Sequence, residues 1–267
     1  IRRVFVGCLD PNPLVAGKGA QILRDAGIEV ETGVCEAECR EINEVFFHYI
    51  THRTPFVVLK YAMTLDGKIA AHTGDSRWVT GEAARRHVHE TRNRLSGIMV
   101  GVGTVLADDP LLTCRIDGGR NPVRIVCDSH ARTPLGSQLV QTANEIPTYV
   151  AVTARSERTA ALEEKGVRIL VCGETDGHVD LTDLMQQLGG AGINGILLEG
   201  GSSLAFSALK AGIVRRVQAY IAPKLIGGAD AKSPVGGEGL AKMADALALK
   251  NVRSTPLGED FLIEGRL

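Results

Sequence analysis

The sequence GILLEGGSSLAFSA, residues 195–208, decides the prediction of the fold because a short apolar segment runs directly into a helix-forming segment. Its uninterrupted apolar residues 196–198, bounded by glycine, are typical of a strand buried on both faces of a parallel sheet. Such a strand ends at Glu199, at the carboxyl edge where open α/β sheets bind their ligands. A carboxylate beside an apolar run is costly unless a polar group meets it. We therefore expect Glu199 to belong to a ligand site.

A glycine pair, Gly200 and Gly201, follows this acid and lets the backbone turn sharply and approach a ligand closely. We expect Ser202 or Ser203 to cap the helix that begins there. The free N–H groups and the positive dipole end of that helix would then face an anion. The same pattern also fits an ordinary strand-turn-helix connection with a capping serine, so the rest of the chain has to distinguish the two interpretations.

The composition indicates a soluble globular protein that binds neither nucleic acid nor membranes. The chain has 267 residues, 44% of them hydrophobic, and its formal net charge of −1 comes from interspersed basic and acidic residues. No apolar run reaches membrane-spanning length, and we expect no signal peptide. The cysteines lack paired spacing, so we expect reduced thiols, no metal site and a cytoplasmic location. They are Cys8, Cys35, Cys39, Cys114, Cys127 and Cys172.

The first 50 residues form one and a half α/β units, which is too little for a hydrophobic core of their own. The chain opens directly on a predicted strand at Arg2–Gly7. We therefore expect residues 1–50 to be the C-terminal remnant of a preceding domain. A boundary is predicted near His52–Pro55, and residues 51–267 form the second domain.

From residue 56 onward, predicted strands and helices alternate, which indicates a largely parallel sheet covered by helices on both faces. The predicted strands are 56–60, 97–101, 123–127, 148–152, 167–172 and 196–198, and the predicted helices are 82–95, a short segment after 103, 157–165, 181–188 and 202–210. Strands 214–222, 247–253 and 260–267 follow, with a hairpin connection at 255–258. The fold class is therefore α/β, with a largely parallel mixed sheet and a C-terminal antiparallel hairpin. The antiparallel edge favours a homodimer.

Several polar side chains stand at predicted strand ends or in the loops after them. Lys60 closes the strand that begins at residue 56, where a lysine could also extend to solvent. The loop before the next helix is rich in glycine and hydroxyl groups and carries the only tryptophan, Trp78, which is typical of ligand-binding loops. Arg92 and Arg115 each fit a solvated surface charge, but together with Ser76 they could form a fork that holds a phosphate.

The glycine-rich motifs favour a cofactor contact but exclude the standard dinucleotide fold. Gly101–Asp108 almost satisfies the dinucleotide fingerprint, except that Leu106 stands where the third glycine belongs. Ser129 and Arg132, after the strand that ends at Cys127, suit a 2′-phosphate. The sequence has no P-loop, no G-x-S-x-G elbow and no zinc deaminase signature. Nucleotide hydrolysis, esterase chemistry and zinc-dependent deamination are therefore disfavoured.

Six segments, in order along the chain, carry a resemblance to a known family. They are KYAMTLDGKIA (60–70), GDSRWVT (74–80), GTVLADDP (103–110), VCDS (126–129), LEGGS (198–202) and IAPKLIGG (221–228). From about residue 53 to the end, the chain resembles the reductase of riboflavin biosynthesis. That family has a fold similar to dihydrofolate reductase and uses NADPH to reduce 5-amino-6-(5-phosphoribosylamino)uracil to the ribitylamino compound. Residues 1–50 resemble the end of the cytidine-deaminase-like domain fused upstream in bifunctional members, and zinc would belong only to that upstream domain.

The resemblance also implies a role for each matching residue. Lys60 and Glu199 would flank the reacting ribosyl carbon as the catalytic pair. The substrate-binding residues would be Ser76, Arg92, the backbone at Leu112, Arg115 and Glu199. The NADPH site would be lined by Ala62, Trp78, Thr104, Asp108, Ser129, Gly201, Ser202, Ser203, Leu204, Ala205, Phe206 and Ser207. Two alternatives stay open: an NADPH reductase of the same fold with another phosphorylated substrate, and a non-catalytic nucleotide-binding domain.

Overall fold

A nine-stranded sheet forms the centre of the computed structural model, which describes residues 1–267. The whole chain has 13 strands, of which nine form this sheet and four form two small two-stranded sheets. In chain order they are β1 (Arg3–Val6), β2 (Glu29–Thr32), β3 (Phe56–Thr64), β4 (Gly97–Gly101), β5 (Val123–Cys127), β6 (Thr148–Val152), β7 (Arg168–Val171), β8 (Glu174–Thr175), β9 (His178–Val179), β10 (Gly195–Glu199), β11 (Val214–Ala222), β12 (Lys250–Leu257) and β13 (Asp260–Arg266). The helices are α1 (Lys18–Asp25), α2 (Glu36–Ile42), α3 (Glu44–His52), α4 (Glu82–Arg94), α5 (Val102–Asp108), α6 (Gln138–Gln141), α7 (Glu157–Glu164), α8 (Leu181–Gly190) and α9 (Ser202–Lys210), and a 3-10 turn spans Met243–Asp245.

The strand order of this sheet is β12-β13-β11-β3-β10-β4-β5-β6-β7. The pairs from β11 to β7 are parallel, whereas β13 pairs antiparallel with both β11 and β12. This arrangement confirms the predicted mixed sheet and C-terminal hairpin. Strand β12 continues through Pro256, so the turn lies at Gly258 and Glu259. An edge strand tolerates proline because one side of its backbone has no neighbouring strand to bond.

Alternate residues of the strands build a separate hydrophobic core on each face of the sheet. On one face, α8 and α9 pack against Leu59, Ile196 and Leu198. On the other face, α5, α6 and α7 cover Ile98 and Val126. Burying a leucine or isoleucine side chain contributes about 1.5–3 kcal/mol. The central strands are therefore the most strongly held part of the molecule, and β10, buried at all five of its residues, lies among them.

The first 52 residues are docked onto the main sheet through their last two helices. Strands β1 and β2 form a small parallel sheet of their own. Helix α3 contacts the rest of the chain, since the Tyr49 hydroxyl donates a hydrogen bond to the Gly189 carbonyl at 3.0 Å. Glu44, also on α3, pairs with Arg216 of β11 at 3.0 Å. These contacts tie the N-terminal segment to α8 and to β11.

Two local predictions in this fold are wrong. The N-cap of α9 is Gly201, with φ +85° and no side-chain cap, rather than Ser202 or Ser203. Because the glycine occupies the position before the first helical residue, Ser202 is already inside the helix and cannot cap it. The second concerns residues 36–49, where the sequence pattern predicts one continuous helix; the chain is instead broken at Asn43 into α2 and α3. None of the helices has the length and apolar character needed to cross a bilayer.

Candidate active site

The register of three adjacent parallel strands brings the central polar residues together. Lys60 was predicted to close its strand, but β3 continues to Thr64, so Lys60 lies in the middle of that strand. Glu199, the last residue of β10, is the register partner of Lys60 on β3. Lys60 is in turn the register partner of Gln218 on β11. Side chains at paired positions of neighbouring strands lie on the same face, so all three belong to the face covered by α4. The strand register therefore places an acid and a base side by side in a site enclosed by that helix.

The Glu199 carboxylate is buried and is held by two cations. Arg92 on α4 binds it in a bidentate manner, with Nε to Oε1 at 2.7 Å and Nη2 to Oε2 at 2.8 Å. The Lys60 Nζ lies 3.9 Å from Oε2. Burial raises the pKa of this carboxyl, but the charges of Arg92 and Lys60 outweigh burial and bring the pKa down to about 2. Glu199 is therefore ionised at every physiological pH.

Lys60 is the ionisable group of the site that is available for chemistry. Burial lowers the pKa of its ammonium below the ordinary value, and the charge of Glu199 only partly offsets this effect. Its Nζ lies 3.9 Å from Glu199 Oε2, beyond hydrogen-bond distance, and 5.6 Å from the centre of the Tyr220 ring. The Tyr220 hydroxyl is engaged by His87 Nδ1 at 2.7 Å. The Lys60 ammonium thus keeps its protons free for a bound molecule.

Helix α4 positions Arg92, and its start is anchored by the C-terminal hairpin. The N–H of Gly81, the N-cap of α4, donates a hydrogen bond at 2.7 Å to Asp260, which is buried at the start of β13. At the other end of the helix, Arg92 Nη1 donates to the Thr113 carbonyl at 2.8 Å. Arg92 therefore connects Glu199 to the segment around residue 113. Three of the five N–H groups of its guanidinium thus bind protein acceptors, although the sequence predicted Arg92 as a ligand of phosphate.

The segment after α5 contains the other predicted phosphate-binding groups. Leu112 has φ +52°, and its N–H donates no hydrogen bond within the chain. Backbone N–H groups freed in this way can bind anions. Arg115, three residues later, lies against His89 of α4. Ser76 lies in the loop before α4 and forms no hydrogen bond with these side chains, so the structure leaves its predicted role in phosphate binding without a direct contact.

His89 is a residue of this site that the sequence analysis missed. Its Nε2 lies 3.2 Å from Arg115 Nε, and its Nδ1 lies 3.2 Å from the Arg115 backbone nitrogen. Burial, Arg92 and Arg115 lower the pKa of His89 to about 4. The spacing of His89 and Arg92 on one helix, three residues apart, is the only sequence signal that could have found it, because residues at that spacing lie on the same helix face.

The glycine turn after Glu199 faces the start of α5 and forms the candidate cofactor contact. Gly200 and Gly201 both have φ +85°. A Cβ on Gly200 would lie 3.1 Å from Thr104 Oγ1, and a Cβ on Gly201 would lie 3.8 Å from the Gly101 nitrogen. The two glycine motifs of the sequence thus meet at one place, on adjacent strands β10 and β4. Only residues without a side chain leave this cradle open.

The remaining residues predicted to bind the cofactor have diverse positions. Trp78 is 60% exposed and is stacked by Arg85, whose guanidinium carbon lies 4.6 Å from the ring centre. The Ser129 hydroxyl accepts a hydrogen bond from the Val179 N–H at 3.1 Å. Ala62 is half-buried, Asp108 is exposed at the end of α5, and Ala205 is buried within α9. Of the predicted set, Thr104 and Leu204 lie directly against the glycine turn.

Comparison with known proteins places this geometry in a family. A family model described as the RibD C-terminal domain matches residues 55–263. The chain belongs to this RibD family. It is 53% identical over 265 residues to the riboflavin biosynthesis protein RibD of Actinobacillus pleuropneumoniae, covering 99% of this chain and 70% of that protein. It is 47% identical over 215 residues to the 2,5-diamino-6-ribosylamino-4(3H)-pyrimidinone 5′-phosphate reductase of Methanothermobacter thermautotrophicus, covering 79% of this chain and 97% of that protein.

Solved structures of the RibD family share the whole fold. Acinetobacter baumannii RibD superposes with a TM-score of 0.84 at 33% sequence identity. The superposition covers 100% of this chain and 73% of the Acinetobacter baumannii chain. The Thermotoga maritima diaminohydroxyphosphoribosylaminopyrimidine deaminase/5-amino-6-(5-phosphoribosylamino)uracil reductase superposes with a TM-score of 0.82 at 34% identity, covering 100% of this chain and 71% of that chain. These similarities confirm the predicted family, the predicted dihydrofolate-reductase-like fold class and the predicted reductase activity.

Proposed function

We propose that the chain reduces 5-amino-6-(5-phosphoribosylamino)uracil to its ribitylamino product with NADPH, as a step of riboflavin biosynthesis. The observation that carries the proposal is the buried Glu199 carboxylate, held between Lys60 and Arg92 beside the glycine turn. The similarity to the Thermotoga maritima deaminase/reductase supports the substrate class, and the similarity to the Actinobacillus pleuropneumoniae riboflavin biosynthesis protein supports the pathway.

The residues present fit NADPH at the cradle between β10 and β4. Gly200 and Gly201 leave room there that a Cβ would fill, and Thr104 lines the opposite side. Free N–H groups at the start of α9 suit a pyrophosphate. Ser129 and Arg132 would lie toward the 2′-phosphate. When bound, NADPH supplies the hydride that C1′ of the opened sugar receives.

Lys60 and Glu199 perform the proton chemistry that opens the sugar. When the bond between C1′ and the ring oxygen breaks, the amine nitrogen forms a double bond to C1′, and the ring oxygen needs a proton to become the 4′-hydroxyl. The Lys60 ammonium donates that proton, and the amine is then reprotonated from solvent. Glu199 stabilises the ammonium before the ring opens and the iminium after it has opened. Addition of hydride to C1′ then yields the neutral amine, so charge and protons balance.

The phosphate of the substrate would bind on the far side of Arg92 from Glu199. Arg115 and the free N–H of Leu112 provide donors there, and Thr113, between them, is tied to Arg92. Charge-assisted hydrogen bonds to phosphate contribute on the order of 1.5–3 kcal/mol each. Residues 1–50 are proposed to be the end of an upstream deaminase-like domain, which the start of the family match at residue 55 supports. The homodimer and the cytoplasmic location stay predictions.

The test is NADPH oxidation followed at the nicotinamide absorbance band, with and without the pyrimidine substrate. Stoichiometric oxidation that requires 5-amino-6-(5-phosphoribosylamino)uracil supports the proposal, whereas NADPH binding without oxidation indicates a non-catalytic nucleotide-binding domain. The name of the Methanothermobacter thermautotrophicus relative favours a second candidate, reduction of the diamino-pyrimidinone before deamination. Comparing kcat/KM for the two pyrimidines distinguishes the candidates.

A further inference from the structure

His89 lies between the two arginines of the proposed phosphate site, and its surroundings contain too many hydrogen-bond donors. Both ring nitrogens lie 3.2 Å from nitrogen atoms of Arg115, one from the backbone and one from the guanidinium. A neutral imidazole has one acceptor nitrogen and one N–H group. One of the two contacts therefore directs an N–H of the ring at an N–H of Arg115. An acceptor with several oxygens would satisfy both groups.

The neighbouring backbone adds one free donor, and two of its carbonyl groups are already occupied. The Leu112 N–H is unused within the chain, and Leu112 is buried with φ +52°. The carbonyl of Thr113 is already occupied by Arg92, and the carbonyl of His89 itself accepts the Cys114 thiol at 3.4 Å. The excess of N–H groups in this part of the molecule matches an anion with three oxygens, such as a phosphate monoester.

The charges that face His89 come from every element around it. They are Arg92 on its own helix, Arg115 on the following loop, Glu199 at the end of β10 and Lys60 on β3. Burial and the three cationic groups together outweigh the one anionic group and lower the pKa of His89 to about 4, so the imidazole is neutral in the free protein. A phosphate dianion placed among these groups would reverse the local balance of charge and favour the imidazolium.

We propose that His89 is a positioning residue of the phosphate subsite. In the free protein it is neutral and accepts a hydrogen bond from Arg115; when phosphate binds between the two side chains, the ring takes up a proton, its contacts with Arg115 are replaced by contacts with the phosphate, and both side chains donate to that anion. This inference rests on the proposed function, because it assumes a phosphorylated substrate. Recognition of the phosphate is then linked to proton uptake, and an ordinary arginine pair would not show this linkage.

The test uses ribose 5-phosphate as the probe and titration calorimetry on the full chain in two buffers of different ionisation heat. His89→Gln keeps an acceptor for Arg115 but cannot be charged, and His52→Gln, at an exposed histidine of α3, is the matched control. Near pH 7, wild type and His52→Gln should take up roughly 0.3–1 proton more per site than His89→Gln. Comparing variants removes the ionisation of the probe's own phosphate, which is common to all of them.

The positioning role also predicts a change in affinity, which can be measured separately from proton uptake. His89→Ala should weaken ribose 5-phosphate binding about five-fold to ten-fold, as expected for the loss of one hydrogen bond that orders Arg115. His89→Gln should restore most of this affinity at about pH 8 but not at about pH 6, where wild type gains from the imidazolium. Thermal unfolding of each variant shows whether the fold is retained.

Equal proton uptake in wild type and His89→Gln, or a pH-independent ratio of their affinities, would overturn the inference. Failure of wild type to bind ribose 5-phosphate would overturn it as well. If NADPH is oxidised with the pyrimidine substrate while uptake does not depend on His89, the proposed function stands and only this inference fails. If proton uptake depends on His89 but no pyrimidine substrate is turned over, this inference stands and the proposed function fails.

Discussion

Replacing Glu199 by glutamine should change the pH dependence of turnover as well as its rate. Glu199 and Lys60 lie 3.9 Å apart, which corresponds to an attraction of about 4 kcal/mol at an effective dielectric constant near 20. That energy corresponds to a change of roughly a thousand-fold in the equilibrium constant for protonation of Lys60. Without the carboxylate, burial and the charge of Arg92 both act to lower the pKa of Lys60 further. The amine would then be largely uncharged at neutral pH and unable to donate a proton.

The expected result for Glu199→Gln is a loss in kcat of about 100-fold near neutral pH, a magnitude typical of general acid–base catalysis. Part of this loss should be recovered as the pH falls, because the Lys60 amine is protonated again. The assay is kcat at the nicotinamide band between about pH 5.5 and pH 9. Lys60→Met is the control, since its loss should not depend on the pH in this way. A Glu199→Gln deficit that is constant across the range, or turnover near that of wild type, would refute the proposed pair.

Three further predictions concern the pair, the cofactor and the N-terminal helices. Lys60→Met should also lose about 100-fold in kcat, and the double mutant with Glu199→Gln should lose much less than the product, with NADPH affinity by fluorescence within a few-fold. Arg132→Ala should reduce the preference for NADPH over NADH, measured as the ratio of their kcat/KM values; an unchanged ratio removes Arg132 from recognition. Glu44→Gln should lower the free energy of unfolding in urea by about 3 kcal/mol, because Arg216 and Arg266 bind this nearly buried carboxylate at 3.0 and 2.9 Å. The control is Glu238→Gln, which removes an exposed ion pair and should cost under about 0.5 kcal/mol.

The sequence alone determined the alternation of strands and helices and the position of the site's central acid. An apolar run of strand length followed by an acid and two glycines allows few structures, because a buried parallel strand must end at the sheet edge and the chain must turn there. These conclusions depend on local patterns, and local patterns survive folding when they agree with the buried core.

Only the tertiary structure decided which groups meet at that edge. Arg92 and Glu199 are separated by 107 positions, and their bidentate contact depends on the rotation of α4 over the sheet. The sequence predicts which face of a helix is buried, but not the angle at which the helix crosses the sheet or its distance from the sheet. It therefore predicted Arg92 as a phosphate ligand only and did not indicate His89. The docking of α3 through Tyr49 is of the same kind, since it depends on a carbonyl 140 residues away. Long-range packing sets such contacts, and no local pattern records it.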